Sequence, residues 1–417
     1  MASERAGLSP PAVAGIAIGS GAVAVALTVV TWRYLVRQPV LPMVDLDVYR
    51  QAGRDVLAGR PVYVDDPHRL VFTYPPFAAV LAVATTPFGR WSGQAVWSLA
   101  TAAATVGVVG LSFRSALGRA GRWWPVALGV LGAFALLTHP MVEHVFYGQI
   151  NVFLVLACLL DLLAVTPRRV RGALVGVASA VKLTPALFGI HLWLAGRRRE
   201  AASAAVAAGA CTLVAWVLLP DDSVAYWTRE LARTERIAGS LDYTSNQSLL
   251  GVASRVLPEA LARPAWLVTA GVVAVVGLQR ARRAEHADDA LGAAALVGLV
   301  AFLVSPISWI HHGVWLLPAL GALAGDLRDR RRVVAAGVVG VILLLRLPWW
   351  GWGLSDHGPL LAVPAAVMQN AYALVALVLV LTLPVRPPAT TESAPVSGRC
   401  RPVSVPSRCA DADQEHP

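Results

Sequence analysis

Long apolar runs alternate with short polar segments along almost the whole chain. Apolar residues dominate 13–32, 96–111 with its neighbours, 201–219, 291–304 and 333–345. Runs of about 18 or more apolar residues read as membrane-spanning helices. A helix suits lipid because it satisfies its own backbone hydrogen bonds, whereas a lone strand does not. The pattern predicts a first helix over 12–36. Further segments follow at 74–86, 93–113, 123–138, 149–165, 172–181, 183–194, 201–219, 261–278, 291–304, 313–325, 333–345 and 363–383. The expectation is an all-α integral membrane protein with about 11 to 13 membrane segments, several short or re-entrant. They form one transmembrane domain over 12–383, after a cytoplasmic lead over 1–11. The Pro- and Ser-rich stretch 384–417 is expected to be a disordered cytoplasmic tail. The first apolar stretch carries no cleavage pattern followed by a soluble domain, so it reads as a retained helix.

The polar segments refine this. The outer loop 37–73 holds Asp45, Asp47, Asp55, Asp65 and Asp66. Within it, Leu46, Tyr49, Val56 and Leu57 recur at helical spacing, which predicts an amphipathic helix over 45–58 on the membrane face. A second outer loop spans 220–260. Lys182-Leu183-Thr184-Pro185 interrupts 172–196, and a proline removes a backbone donor. Two short helices meeting at Lys182 are expected there. Segment 74–113 splits at Pro87–Gly89, and one of its two halves is expected to be re-entrant.

Composition excludes a soluble protein. The chain is 56% hydrophobic and 14% charged, where soluble domains carry roughly 25% charged residues. Its net charge is +10, with Arg far outnumbering Lys. The basic residues cluster between apolar runs, at Arg114/Arg119/Arg122, Arg168/Arg169/Arg171, 197–199, Arg280/Arg282/Arg283 and 328–332. That is the pattern of cytoplasmic loops rather than of a nucleic-acid surface, so no nucleic acid is expected as a partner. The opposite face then receives 139–149, 221–248, 305–312 and 348–364, where His, Asn, Gln and carboxylates concentrate. Chemistry is expected on that face. Of the four cysteines, Cys158 and Cys211 sit in apolar runs and Cys400 and Cys409 in the tail. No ligand spacing suggests a metal, and no cofactor is expected.

Several polar residues are candidates for that chemistry. Asp45 and Asp47 follow the first helix, where a carboxylate beside lipid suits a general base; solvated acids on a loop helix are the competing reading. Tyr49 lies between them and the loop, and Tyr74-Pro75-Pro76 opens the next segment as a fixed helix start. His144, Tyr147, Gln149 and Asn151 lie at the outer edge of a span, fit either for sugar hydroxyls or for helix–helix hydrogen bonds. Lys182 is an ionisable residue between apolar runs, suited to a phosphate or to an ion pair. Asn246 and Gln247, in the run Ser245–Ser248, suit carbohydrate or a helix cap. His311 and His312 suit an oxyanion better than a metal, since no third ligand is evident.

Taken in order, Asp-Leu-x-Val-Tyr at 45–49, Tyr-Pro-Pro-Phe at 74–77, Gly-Gln-Ile-Asn at 148–151, Lys-Leu-Thr-Pro at 182–185, Asn-Gln-Ser at 246–248 and Ser-Pro-Ile-Ser-Trp-x-His-His at 305–312 form a recognisable series. The chain resembles the actinobacterial polyprenol-phosphate-mannose-dependent α-(1→2) mannosyltransferases of glycosyltransferase family 87, over Asp45 to Leu323. The resemblance implies a GT-C-type helical bundle in the cell membrane, with its active site on the extracytoplasmic face. It implies a polyprenyl-phosphate mannose donor, a mannosylated glycolipid or lipoglycan acceptor, and an Asp of the first outer loop as base. Asp45 matches that Asp best, and Asp47 is a second acid nearby. Lys182, His311 and His312 would face the donor phosphate. Asp47, Tyr49, Tyr74, His144, Tyr147, Gln149, Asn151, Asn246 and Gln247 would surround the substrates. The competing readings are a transferase for another polyprenyl-phosphate sugar, such as arabinofuranose or glucose, and a membrane transporter or flippase.

Overall fold

The computed structural model describes residues 10–35, 43–66, 70–233 and 240–385. In chain order the helices are α1 (Pro10–Leu35), α2 (Val44–Leu57), α3 (Pro76–Ala82), α4 (Arg90–Ser112), α5 (Arg114–Arg119), α6 (Trp124–Leu137), α7 (His139–Tyr147), α8 (Asn151–Leu162), α9 (Ala173–Val181) and α10 (Ala186–Leu194). They continue with α11 (Arg198–Leu218), α12 (Pro220–Thr228), α13 (Leu249–Val256), α14 (Glu259–His286), α15 (Ala290–Val304), α16 (Leu316–Ala324), α17 (Arg330–Leu344), α18 (Leu347–Leu354), α19 (Pro359–Gln369) and α20 (Ala371–Thr382). Among the described residues the only strand-like pairing is an isolated bridge between Asn246 and Trp309. The lead 1–9 and the tail 386–417 lie outside the described residues.

Helices α4, α11 and α14 are each long and apolar enough to cross a membrane. At 1.5 Å per residue they measure roughly 35, 31 and 42 Å, against a hydrocarbon core of about 30 Å. Three bent pairs pass the same test jointly: Gly121–Leu137 with α7 at 73°, α17 with α18 at 59°, and α19 with α20 at 59°. The chain is thus a multi-pass membrane protein. Val206 and Val217 on α11 and Leu267, Val268 and Val272 on α14 are all left bare. Side chains of that kind in continuous rows face lipid, since water would not tolerate them.

Fewer helices cross alone than the apolar runs suggest. Pro, Gly and polar breaks divide several runs into shorter apolar helices, among them Asn151–Leu162, Ala290–Val304 and Ile310–Ala324. Helix α15 is buried on every side from Gly292 to Leu303. A helix apolar all round belongs inside a bundle, and α15 packs against α14, α16 and α20. Segment 74–113 resolves into α3 with a 3-10 turn to Thr85, only about 15 Å long, and one full span, α4. Of the two, only α4 is long and apolar enough to cross alone.

The long helices sort the polar residues to two ends. Basic clusters lie just past α4, at the start of α11, at the end of α14 and at the start of α17. The other ends meet the polar loops. Arg90 at the start of α4 lies 3.8 Å from Asp47. Asp222 on α12, just beyond α11, accepts a bond from the Val62 amide at 2.9 Å. Arg255 on α13, just before α14, donates to the Asn246 carbonyl at 2.8 Å. The loops that carry the site are therefore held together, a bilayer's thickness from the arginine clusters.

Candidate active site

The site begins where two short helices abut. Met43 precedes α2 in a left-handed conformation (φ 61°), and its amide donates to the Phe146 carbonyl of α7 at 2.7 Å. Helix α7 ends at Gly148, also left-handed (φ 70°). A Cβ at Gly148 would lie 2.9 Å from Leu46 Cβ and 3.0 Å from Met43 Cβ. Only glycine supplies both the backbone twist and the space. The contact sets Gln149, the next residue, against the first turn of α2.

A hydrogen-bonded relay starts from that contact. Gln149 Nε2 donates to Asp45 Oδ2 at 2.5 Å. Gln149 Oε1 accepts from Tyr74 Oη at 3.2 Å, Asn151 Nδ2 at 3.2 Å and Tyr49 Oη at 3.4 Å. The two tyrosine hydroxyls lie 3.0 Å apart. Asn151 Oδ1 in turn accepts from Lys182 Nζ at 2.8 Å, and His312 Nε2 lies 3.1 Å from the same ammonium. Lys182 also sits 5.3 Å from the centroid of the Tyr74 ring. Asp45 and Lys182 are thus tied to one network from opposite ends, with no direct ion pair between them among the described residues.

Local sequence explains how each group reaches the relay. Lys182 closes α9 in an extended conformation (φ −150°, ψ 132°), because Pro185 cannot continue a helix that needs its amide. The break leaves the half-buried ammonium against Asn151 and His312. It is the only lysine in a chain otherwise charged by arginine. An ammonium is a compact point charge, unlike the planar guanidinium fork.

Electrostatics separates the two acids. Burial pushes the Asp45 carboxyl up to about 6, while the Gln149 bond and the Lys182 charge oppose it. Asp47 is turned away and lies 3.8 Å from both Arg50 and Arg90. Positions two apart on a helix differ by about 200°, so only one of the pair can face the relay.

The imidazoles form a layer beside Lys182. His311 stacks edge-on against His312 at 4.8 Å and lies 5.3 Å from the Tyr147 ring. Neither His311 ring nitrogen has a hydrogen-bond partner among the described residues, while its carbonyl accepts from Asn151 Nδ2 at 3.4 Å. His144 plays a local part, accepting the Val152 amide at 3.0 Å and so capping the start of α8.

Two expected sugar contacts lie elsewhere. Asn246 Oδ1 accepts from the amides of Ser248 and Ser308, and its Nδ2 donates to the Leu241 and Pro306 carbonyls. Gln247 Nε2 donates to the Thr244 and Gln369 carbonyls, and its Oε1 accepts the amides of Tyr372 and Ala373 at the start of α20. Both amides are fully buried and spent on backbone. They lace loop 241–248 to 305–309 and to α20, which the sequence run alone does not reveal.

Other polar residues were not marked by the sequence pattern. Arg255 clamps the Tyr243 and Asn246 carbonyls and the Asn370 side chain. His139, Glu143, Trp349 and Tyr372 form a second buried network. Glu143 Oε1 lies 3.1 Å from His139 Nε2 and accepts from Trp349 Nε1 at 3.0 Å, and His139 Nδ1 lies 2.8 Å from Tyr372 Oη. The tryptophan run Trp349-Trp350-Gly351-Trp352 is the one signal in the sequence that could have drawn attention to it.

An all-helical multi-pass protein, with a carboxylate of raised pKa and a lone ammonium joined through one polar network, has the parts of a membrane-boundary group transferase. The profile of glycosyltransferase family 87 matches residues 72–306. A polyprenol-phosphate-mannose-dependent alpha-(1-2)-phosphatidylinositol mannoside mannosyltransferase of Mycolicibacterium smegmatis is 36% identical over 344 residues, covering 73% of this chain and 74% of the relative. A polyprenol-phosphate-mannose-dependent alpha-(1-2)-phosphatidylinositol pentamannoside mannosyltransferase of the same organism is also 36% identical, over 76% of this chain and 78% of its own length. A Mycobacterium tuberculosis phosphatidylinositol mannoside mannosyltransferase of the same description is 31% identical over 78% of this chain and 79% of its own. The chain belongs to glycosyltransferase family 87, and it is a membrane glycosyltransferase.

Proposed function

We propose that the chain transfers mannose from polyprenyl-phosphate mannose to a hydroxyl of a mannosylated phosphatidylinositol glycolipid, forming an α-(1→2) bond on the extracytoplasmic face of the cell membrane. The observation that carries this reading is the relay from Asp45 through Gln149 and Asn151 to Lys182 and His312. It joins four motifs scattered over 268 positions of sequence, from 45 to 312, and provides a base at one end and a cation at the other.

The chemistry follows from those two ends. The Asp45 carboxylate takes the proton of the acceptor hydroxyl. The freed oxygen attacks the anomeric carbon from the face opposite the phosphate. The bond from that carbon to the phosphate oxygen breaks, and its electron pair leaves with the polyprenyl phosphate. One displacement inverts a β-linked donor to an α-mannoside. Lys182 has two of its three donor positions engaged by Asn151 and His312, leaving one for the phosphate oxygen as its charge grows. No step calls on a metal. Tyr49 and Tyr74 donate to Gln149 Oε1 between the two ends, and Tyr147 lies against His311.

The sidedness rests on the arginine clusters, which mark the cytoplasmic end by the positive-inside rule. A membrane assay with radiolabelled polyprenyl-phosphate mannose and phosphatidylinositol mannoside acceptors, followed by linkage analysis, tests the reaction. Labelled product with another linkage, or none at all, ends this reading. In a cysteine-free background, an impermeant thiol reagent applied outside should label cysteine at exposed position 242 and spare exposed position 198. The opposite result would put the site on the cytoplasmic side.

A further inference from the structure

Four aromatic rings form a series away from the Asp45–Lys182 relay. Tyr243 lies edge-on to Trp309 at 6.1 Å and to Trp349 at 5.7 Å, and Trp349 lies edge-on to Trp352 at 6.2 Å. These rings come from three separate segments: loop 241–248, segment 305–312 and α18. Tyr243 is 49% exposed and Trp352 60% exposed. Scattered exposed tryptophans at the end of a span are ordinary interfacial anchors. A convergence of rings from three segments is a different arrangement.

Two further observations connect the series to substrate. First, the chain runs directly from Trp309 through Ile310 to His311 and His312, so the rings and the relay share one short segment. Second, buried and half-buried polar groups hold the ring-bearing loop in place. Asn246, Gln247 and Arg255 spend their bonds on the backbone of 241–248, 305–309 and the start of α20, and on Asn370. Rigid support of this kind is what a binding surface requires. At the edge of the Trp349 ring, the buried carboxylate of Glu143 accepts the indole N–H through Oε1, while its Oε2 has no partner among the described residues. A ligand that offers apolar C–H faces and hydroxyl donors together suits such a surface, and a hexopyranose ring has both. Its C–H groups carry slight positive charge and lie well on the negative face of an aromatic ring.

We infer that Tyr243, Trp309, Trp349 and Trp352 form the platform on which a hexose ring of the acceptor glycolipid's headgroup stacks, delivering its hydroxyl toward the relay. The inference rests on the acceptor assigned under the proposed function. Of the expected sugar contacts, Asn246 and Gln247 hold the loop, and the neighbouring rings meet the sugar.

The test compares wild type, Tyr243→Ala, Trp352→Ala, Trp352→Phe and Trp350→Ala in lipid nanodiscs. Trp350, 49% exposed on the same α18, stands outside the ring series. Binding of deacylated phosphatidylinositol mannoside, a soluble headgroup, is measured by calorimetry. Initial rates are measured against acceptor and against donor. Tyr243→Ala and Trp352→Ala should each weaken headgroup binding and raise the acceptor KM about tenfold, or about 1.4 kcal/mol. The donor KM should hold, and Trp352→Phe should recover most of the loss. Headgroup binding indifferent to these substitutions overturns the platform, as does an equal loss in Trp350→Ala, which would mark interfacial anchoring only. Binding needs no turnover, so the two readings fail separately. Ring-dependent headgroup binding without mannose transfer by wild type sinks the proposed reaction alone, and mannose transfer with ring-independent binding sinks the platform alone.

Discussion

Replacing Gln149 with methionine removes the amide while keeping the length of the side chain. Its Nε2 donates to Asp45 Oδ2, so it favours the ionised carboxylate against the burial that raises the pKa to about 6. A hydrogen bond to a charged group contributes about 1.5–3 kcal/mol, and each pKa unit is 1.36 kcal/mol. Losing the bond should therefore move the Asp45 pKa up by about one to two units. With Asp45 as the base, as proposed above, the reacting form is the carboxylate, so activity should be present above this pKa and lost as pH falls through it. In the wild type the acid limb of kcat/KM should fall near pH 6, which leaves roughly nine-tenths of Asp45 ionised at pH 7. In Gln149→Met the limb should move to about pH 7–8, so activity at pH 7 should drop about twofold to tenfold and recover by about pH 8.5. The assay is kcat/KM for mannose transfer from pH 5 to 9 at constant membrane abundance. The substitution also strips Tyr49, Tyr74 and Asn151 of their shared acceptor, which should lower the plateau without moving the limb. A variant whose acid limb stays where it was, however low its plateau, would refute the claim that Gln149 tunes the base.

Asp45→Asn should lose about 10²–10⁴-fold in turnover while still inserting and binding donor, the usual worth of a general base. Asp47→Asn should lose far less because Asp47 faces Arg50 and Arg90; the two variants are compared at equal abundance, and the reverse order would reassign the base. Lys182→Ala should raise the donor KM. Lys182→Arg should restore only part of it, since a planar fork does not fit the contacts to Asn151 and His312, and unaltered donor kinetics in the alanine variant would leave Lys182 a structural role only. Gly148→Ala combines a left-handed backbone with Cβ contacts under about 3 Å, so thermal unfolding of the purified protein should fall by several degrees and turnover with it; an unshifted melt would deny the tight α2–α7 contact.

Features with a local cause were legible in the sequence. The amphipathic periodicity of α2 appears within one residue of its structural bounds, because the alternation of Leu46, Tyr49 and Val56 with charged residues is a property of the segment itself. The break at Lys182 follows from one proline. Features set by distant partners were not legible. Asp45 and Asp47 look alike in sequence, and what separates them is the docking of α7, a hundred positions away. Segment 139–147 reads as a polar outer loop, yet it is a helix buried from His139 to Phe146. Its histidines and glutamate bind partners inside the protein rather than water, so polarity alone misplaces it. Asn246 and Gln247 suffer the same error, since a buried amide holding backbone and an exposed amide holding sugar have the same sequence signature.

The relay also explains why the site is built from so many short helices. A straight span offers a phosphate-linked substrate at the bilayer boundary only apolar side chains, because its backbone amides are consumed internally. Each group of the relay sits instead at a helix end: Asp45 in the first turn of α2, Gln149 just after α7, Asn151 at the start of α8, Lys182 closing α9 and His312 in the 3-10 turn before α16. A helix end frees backbone groups that a continuous span would consume. Five such ends meet in one place only if the helices that carry them are short. Lengthening any one of these helices into an unbroken span, for example by replacing Pro185 so that α9 runs on into α10, would carry its polar residue away from the shared centre. The short helices that complicate the count of membrane segments are therefore what brings a carboxylate and an ammonium into one network.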